Sequence, residues 1–274
     1  MIRKSAFVLF VVFCTANVVY SQGFSQAPPR SNYGEEISWQ KTTVVGVGTV
    51  GLLYVVHQNY TKELWWPTRG PFHFEYDSRY AKSVDKPGHT FASYFVGDRY
   101  RGMYLWSGFD DRTARWLAFG SVNLIQGFTE YHEGLSRYFG FDLGDYISGA
   151  GVGGGLLVLQ GYFPMLDRVS LKWSFVPRKN PAYDRMNPWM KDYQDQTYWV
   201  STDVYKGYSV ALGANLTDWR DGKGDLQLWL SPDFDWRSLD RDSEILRILN
   251  AIKLPTPAVR IYPSPRLVFV SWIN

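Results

Sequence analysis

Apolar residues recur with the spacing of amphipathic helices through the first half of the chain. A first apolar element runs from Ile37 to Tyr60, and further helices are predicted to begin at Asp85, near Asp111 and at Asp142. The helix near Asp111 keeps one face at Ala114, Leu117, Ala118, Val122, Ile125 and Gln126. Residues 37–166 are therefore predicted to form a helical domain.

The run from Tyr146 to Leu166 carries no charged residue. Its length matches the ~20 residues that an α-helix needs to cross the hydrocarbon core of a bilayer. The run is also rich in glycine, and the pairs Gly149/Gly153 and Gly151/Gly155 have the small-xxx-small spacing that lets helix backbones touch. Two interpretations stay open: contact with a membrane, and close packing inside a soluble bundle.

The pattern changes to period two after Asp167. Val169, Leu171, Trp173 and Phe175 alternate with polar residues, which predicts a half-buried strand. Further strands are predicted at Tyr208–Leu216, Leu226–Ser231 and Leu267–Ile273, with a short amphipathic helix through Ile245 and Ile252 that Pro255 and Pro257 end. The predicted fold class is α+β: an N-terminal bundle of about four glycine-rich helices, then an antiparallel β region, residues 167–274, with one short amphipathic helix.

The first 36 residues have the composition of a leader and a tether. Arg3 and Lys4 precede an apolar run that ends at Phe13, and the residues before Gln22 suit a signal peptidase. Residues 1–21 are therefore predicted to be a cleaved signal peptide, and the Pro/Ser/Asn-rich residues 22–36 a flexible tether. This leader predicts export to the periplasm or the outer-membrane-associated cell envelope.

Composition excludes several classes of protein. Cys14 is the only cysteine, so the mature chain has no disulfide, thiolate metal site or cysteine nucleophile. A net charge of +3 with interspersed signs gives no basic stripe for nucleic acid. Aromatic residues make up 18% of the chain, which suits a Trp-rich core or a membrane boundary equally. The expected partners are the membrane or other envelope components, and a protein partner is unknown.

Two glycine runs match the dinucleotide-binding fingerprint, Gly46 to Gly51 and Gly149 to Gly154. Neither follows a predicted strand and opens a helix, as that fingerprint requires, so no nucleotide cofactor is predicted. The chain also lacks a Gly-x-Ser-x-Gly elbow and a His-Glu-x-x-His pair, which disfavours a serine hydrolase or an ordinary zinc protease.

Candidate chemistry is concentrated in a few acidic residues and one histidine. Asp85 and His89 share a helix face, and Asp85 is interpreted as an N-cap. Glu130 and Glu133 lie in the last turns of a helix, where the dipole disfavours negative charge by ~0.3–1 kcal/mol each, so they indicate a nearby cation or site. Asp142 as N-cap and Asp145 at the third helical position are predicted to form a variant of the capping box.

These residues define the candidate sites. The candidate metal ligands are Asp85, His89, Glu130, Glu133 and Asp145, a mixed oxygen and nitrogen set suited to Zn, Mn or Fe. The catalytic candidates are His89, Glu130 and Glu133. These residues are compatible both with an enzyme and with a protein that has no catalytic activity.

An ordered series of motifs resembles a known family. It comprises residues 72–77 (FHFEYD), Asp85-Lys86-Pro87-Gly88-His89 with Tyr94, residues 130–136, Gly144-Asp145-Tyr146-Ile147, residues 171–175 (LKWSF) and residues 191–199. The series covers most of the mature chain and resembles the uncharacterised YfiM-like family of bacterial cell-envelope proteins, in its long Bacteroidetes-type form. The resemblance implies export and an envelope location, but no established activity.

The chain departs from that family's pattern at two positions. Gly149 stands where the family usually has asparagine, and Cys14 lacks the small preceding residue of a lipoprotein signal. The order of the Asp-Lys-x-x-His, Glu and Asp motifs is also similar to that of VanZ-like membrane proteins, over the helical half alone.

Two functions are compatible with these observations. The first is a non-catalytic, membrane-associated envelope protein, structural or interaction-mediating, in which the polar cluster ties helices together. The second is a metal-dependent hydrolase or transferase that acts on a lipid or another envelope substrate.

Overall fold

The computed structural model describes residues 36–58, 69–76, 80–175, 193, 195–216, 224–241, 243–263 and 265–269. The predicted signal peptide and nearly all of the predicted tether lie outside the described residues. Within them the fold is α+β, as predicted, with helices followed by an antiparallel sheet.

Helices make up most of the described part of the first 160 residues. Their bounds are α1 Trp39–Val56, α2 Asp85–Trp106, α3 Asp111–Gly134, α4 Leu143–Tyr146, a π-helical segment Ile147–Gly154, α5 Gly155–Gln160 and, far along the chain, α6 Glu244–Asn250. Side-chain caps fix several of the helix starts: Asp110 accepts from the Thr113 amide, and Ser243 accepts from the Leu246 amide. The predicted starts at Asp85, Asp111 and Asp142 are confirmed to within one residue.

Helix α2 lies at the centre of the helical layer and packs against α1, α3 and the π-helical segment. Tyr100 of α2 hydrogen bonds to Thr49 of α1, with 2.9 Å between the two hydroxyl oxygens. A Cβ added at Gly153 would lie 2.3 Å from the Thr90 carbonyl oxygen, so only glycine permits this approach of the two backbones. The predicted close packing is thus confirmed at Gly153.

The two predicted glycine pairs behave differently. A Cβ at Gly149 would lie 2.9 Å from the Ser93 hydroxyl, so this position also faces a neighbouring helix. A Cβ at Gly155 would meet nothing within 4 Å, and one at Gly151 would meet only Ile147 of its own segment. The prediction for Gly151/Gly155 is therefore wrong, because that side of the segment faces outward. Among the described helices, none combines the length and the hydropathy of a membrane span.

The β region is one antiparallel sheet with strands in chain order. It comprises β3 Val169–Phe175, β4 Gln196–Tyr205, β5 Tyr208–Leu216, β6 Leu226–Phe234, β7 Pro257–Tyr262 and β8 Arg266–Phe269. A separate parallel pair joins β1 Phe74–Glu75 to β2 Phe141–Asp142. The segment after α6 covers the edge of β3 that faces away from β4. The Trp173 amide donates to the Ala251 carbonyl, and the Lys253 amide donates to the Trp173 carbonyl.

Strand β3 differs from the predicted half-buried strand. Its apolar side packs on α2 through Leu171, but Ser170, Lys172 and Ser174 on the other side are buried as well. The Lys172 ammonium lies 2.7 Å from an Asp233 carboxylate oxygen and donates to the Phe234 carbonyl. The sheet therefore has a polar, ion-paired interior on the face that the alternation alone would assign to water.

Candidate functional site

Three of the five predicted metal ligands converge. His89 in the second turn of α2, Glu130 near the end of α3 and Asp145 in α4 each offer one ligand atom, and these atoms lie within 4.8 Å of one another. The three residues are far apart in sequence and come from three separate helices. One ion can bind residues this far apart in sequence only where the fold brings their ligand atoms together, as it does here.

Glu130 is the most deeply buried member, with no exposed surface. Its Oε1 accepts a hydrogen bond from the Gln126 side-chain amide at 2.8 Å, and its Oε2 accepts from the Asp142 backbone amide at 3.2 Å. Burial raises the pKa of Glu130 to about 9, and the charges of Glu133 and Asp145 act in the same direction. At neutral pH this carboxyl therefore holds a proton unless a cation takes the proton's place.

His89 is the member of the group that contacts solvent. Its Nε2 lies 3.5 Å from Asp145 Oδ2, and its Nδ1 lies 3.1 Å from the Gln126 amide nitrogen. The imidazole is 28% exposed, whereas Glu130 and Asp145 are buried, so a ligand reaches the group from the side of His89.

Gln126 is a site residue that the sequence analysis did not identify. Its amide contacts both His89 and Glu130, which fixes their relative position. The apolar stride of α3 placed it on a core face, and that placement is correct. The signal that could have revealed its role is its position one helical turn before Glu130.

Lys86 ties α2 to the start of α4. Its ammonium lies 2.6 Å from Asp145 Oδ1, 3.0 Å from Asp85 Oδ2 and 3.1 Å from Asp142 Oδ2. Burial by itself lowers the pKa of Lys86, but the hydrogen bond and charge of Asp145, with the charge of Asp85, raise it on balance. Lys86 is thus a fixed positive charge beside Asp145, a role that sequence analysis missed.

Asp85 does not cap α2. The N-cap is Val84, which makes no side-chain cap hydrogen bond, and Asp85 occupies the first helical position with 2% exposure. Its Oδ1 is buried without a hydrogen-bond partner among the described residues. Burial, followed by the charge of Asp145, raises the pKa of Asp85 to about 6. The capping interpretation is therefore wrong, and Asp85 is connected to the site through Lys86.

The remaining predicted residues have different positions. Asp142 is the N-cap of α4, as predicted, and its Oδ1 accepts from the Gly144 amide at 2.6 Å and the Asp145 amide at 3.4 Å. Glu133 is half-buried and is not part of the three-residue group, although its charge raises the pKa of Glu130. The structure brings Glu133 near the site without making it a ligand.

The donor set fits a divalent cation. One imidazole and two carboxylates suit Zn, Mn or Fe, and each of those ions needs ligands at ~2.0–2.2 Å, so only small side-chain movements separate this group from coordination. A cation would also replace the proton on Glu130 as the source of compensating charge.

The chain has no match among protein-family models, curated proteins or solved structures.

Proposed function

We propose that the protein is an exported, membrane-associated cell-envelope hydrolase that binds one divalent metal ion through His89, Glu130 and Asp145. Membership of the YfiM-like family and the glycine-rich helical bundle belong to the same proposal. The observation that supports it best is the convergence of these three ligand atoms within 4.8 Å from three separate helices. Perturbed carboxyl groups in such a cluster are typical of functional sites.

The residues around the three ligands have distinct roles in this proposal. A bound Zn, Mn or Fe ion would polarise an ester or phosphoester and lower the pKa of water. Gln126 holds His89 and Glu130 in place, as outer-shell partners of metal ligands commonly do. Lys86 neutralises Asp145 and places a positive charge where an anionic substrate group could approach.

A second candidate is the non-catalytic envelope protein. The observation that favours it is Lys86, which binds Asp85 of α2 and two carboxylates at the start of α4, and so ties two helices together. In that case the cluster is a structural connection, and substitution of its members lowers stability without affecting any metal.

Metal analysis of the purified protein separates the two functions. We expect one ion per chain after dialysis against Zn, Mn or Fe, and an affinity at least about 100-fold lower in His89→Ala and Glu130→Gln, because each variant loses a ligand. His73→Ala is the matched control, since His73 is exposed in the β1 region. The absence of stoichiometric metal from the unsubstituted protein, with a lower melting temperature in His89→Ala, would support the non-catalytic function instead.

A hydrolysis assay then tests the reaction. We expect metal-dependent cleavage of a chromogenic ester or phosphodiester by the loaded protein, lost in His89→Ala and retained in His73→Ala. Sequencing of the exported protein's N-terminus tests the location, with Gln22 as the expected first residue.

A further inference from the structure

The side of the large sheet that α2 covers at Leu171 of β3 continues across β4 to β7 as an apolar, partly exposed face. In the strand register, Val200 of β4 lies opposite Leu212 of β5, Leu212 opposite Leu230 of β6, and Leu230 opposite Val259 of β7. These four side chains are 48%, 48%, 43% and 38% exposed, respectively. With Val210, which is 48% exposed on the same side of β5, they form a surface that we call the sheet face. Neighbouring strands are ~4.8 Å apart, so the row crosses roughly 14 Å of sheet.

The sheet face is apolar, whereas the exposed face of an antiparallel sheet is usually polar. Paired positions that share it in the described parts of β4 to β7 include no charged residue. The reverse side carries Ser201 and Lys172, which are buried, and Asp233, whose side chain is 4% exposed. An antiparallel sheet with one wet side normally puts its polar residues on that side. An exposed apolar area of this kind marks a surface that contacts another apolar phase or molecule.

Aromatic and basic side chains border the sheet face. Tyr205 and Tyr208 flank the turn between β4 and β5 and are 63% and 69% exposed. The Lys206 ammonium in that turn lies 5.1 Å from the centre of the Tyr205 ring. Tyr262 of β7 is 50% exposed near the opposite end of the strands. Tyrosines beside a lysine are typical of the boundary between lipid headgroups and hydrocarbon.

We propose that the sheet face is a docking surface for a lipid bilayer that contains anionic lipids. Its aliphatic side chains enter the upper acyl region to a depth of ~5–10 Å, and Lys206 contacts headgroup phosphates. The border of Tyr205, Tyr208 and Lys206 supports lipid over a second copy of the chain, because amphipathic rings and a positive charge beside an apolar surface suit a headgroup layer.

Vesicle flotation tests the docking surface. The full chain is mixed with vesicles of phosphatidylcholine, alone or with phosphatidylglycerol, in the presence of EDTA so that metal binding plays no part. We expect Leu212→Asp and Val210→Asp to bind at least about tenfold more weakly, because a charge replaces a side chain that docking buries. Ile245→Asp is the matched control, since Ile245 is 62% exposed on α6 and lies outside the sheet face. Lys206→Glu is expected to remove the preference for phosphatidylglycerol.

Fluorescence gives a second readout that does not depend on a disruptive charge. A polarity-sensitive dye on Leu212→Cys, in a Cys14→Ser background, is expected to shift to shorter wavelength with vesicles, and the same dye on Ile245→Cys is not. Unchanged flotation of Leu212→Asp overturns the proposal, as does a loss of flotation in Ile245→Asp as large as that in Leu212→Asp. A lipid-free dimer that Leu212→Asp dissociates also overturns it, and assigns the sheet face to self-association.

Discussion

Helix α2 carries a buried charged cluster at each end, and the two clusters respond to burial in opposite ways. In the later turns, Arg99 pairs with Asp98 and with Glu244 of α6, and Arg247 of α6 pairs with Asp98. Burial by itself raises the pKa of Asp98, but the charges of Arg247, Arg99 and Arg101 hold it well below its usual range. Arginines match the carboxylates here, so this cluster joins α2 to α6.

At the start of α2 the carboxyl groups face one another. Burial and the charge of Asp145 raise the pKa of Asp85 to about 6, and burial with two neighbouring carboxylates raises that of Glu130 to about 9. Burial is common to both clusters, and the difference is the number of cations that face the carboxylates. A cluster with one lysine for several carboxylates holds protons as well, and it therefore retains the capacity to bind a metal.

The largest expected effect comes from breaking the arginine-rich cluster. Asp98→Asn leaves Arg99 and Arg247 without their shared carboxylate, and removing one partner of a buried ion pair costs about 3–5 kcal/mol. Urea unfolding should show a loss of that size, while metal affinity stays unchanged. A loss below about 1 kcal/mol would mean that this cluster is not the structural one.

Lys86→Met should lower the free energy of unfolding by less, roughly 2–3 kcal/mol at neutral pH. Lys86 is 19% exposed, and the carboxylates that lose its charge can take up protons instead. Added divalent cation or a pH near 5 should restore part of the stability, measured by urea unfolding. Asp98→Asn is the comparison, since neither treatment should restore it. Equal recovery of both variants would remove the distinction between the clusters.

The pH dependence of stability should carry the opposite sign at the two ends of α2. Glu130 has an ordinary pKa of 4.5 and a folded pKa of about 9, so between these values the folded state binds the extra proton. Stability of the metal-free protein should therefore fall from about pH 5 to about pH 9. The slope should be about 1.4 kcal/mol for each pH unit in which Glu130 is protonated in the folded state and ionised in the unfolded state. Glu130→Gln should flatten this slope.

Asp98 provides the control for that slope. Because its pKa is lowered on folding, its contribution is present above its ordinary pKa of 3.8 and is lost as the pH falls further. Thermal unfolding of Asp98→Asn should therefore lose pH dependence only on the acid side. A wild-type profile that is flat from pH 5 to pH 9 would contradict the raised pKa of Glu130.

The smallest effect is expected from Gln126→Met, which keeps the volume of the side chain and removes the amide that touches His89 and Glu130. Metal affinity should fall about tenfold, in the range for partners of metal ligands, with a stability change below about 1 kcal/mol. Gln160→Met is a matched control, because the Gln160 side-chain amide donates to the Val169 carbonyl and not to a site residue. Equal metal affinity in the two variants would show that Gln126 does not position the site.

Sequence patterns predicted the fold class and most helix starts, because caps and apolar stride are local properties. They predicted β3 and β5 with the correct bounds, but they missed β4 and β7. Strand β7 begins at Pro257, which the sequence presented only as a stop for the preceding helix. In β4 the polar residues near Ser201 interrupt the apolar pattern, since they face a polar interior that no local signal indicates.

Sequence patterns predicted the residues of the site better than their roles. Unusual charge placement against the helix dipole pointed correctly to Glu130, which is buried beside His89. The role of Asp85 was misjudged, because an aspartate before a proline near a helix start has the same local signature whether it caps the helix or lies one position inside it. Lys86 and Gln126 were missed since their partners lie 59 and 37 residues away along the chain.

The number of residues between Asp145 and Gln160, a stretch that includes the π-helical segment, determines how Asp145 is oriented in the site. Asp145 belongs to the ligand group at one end, and Gln160 holds the Val169 carbonyl of the sheet at the other. An α-helix turns about 100° per residue, so deleting one residue between them would turn Asp145 by about that angle relative to the sheet. Any working homologue should therefore tolerate substitutions along this stretch far better than a change in its number of residues.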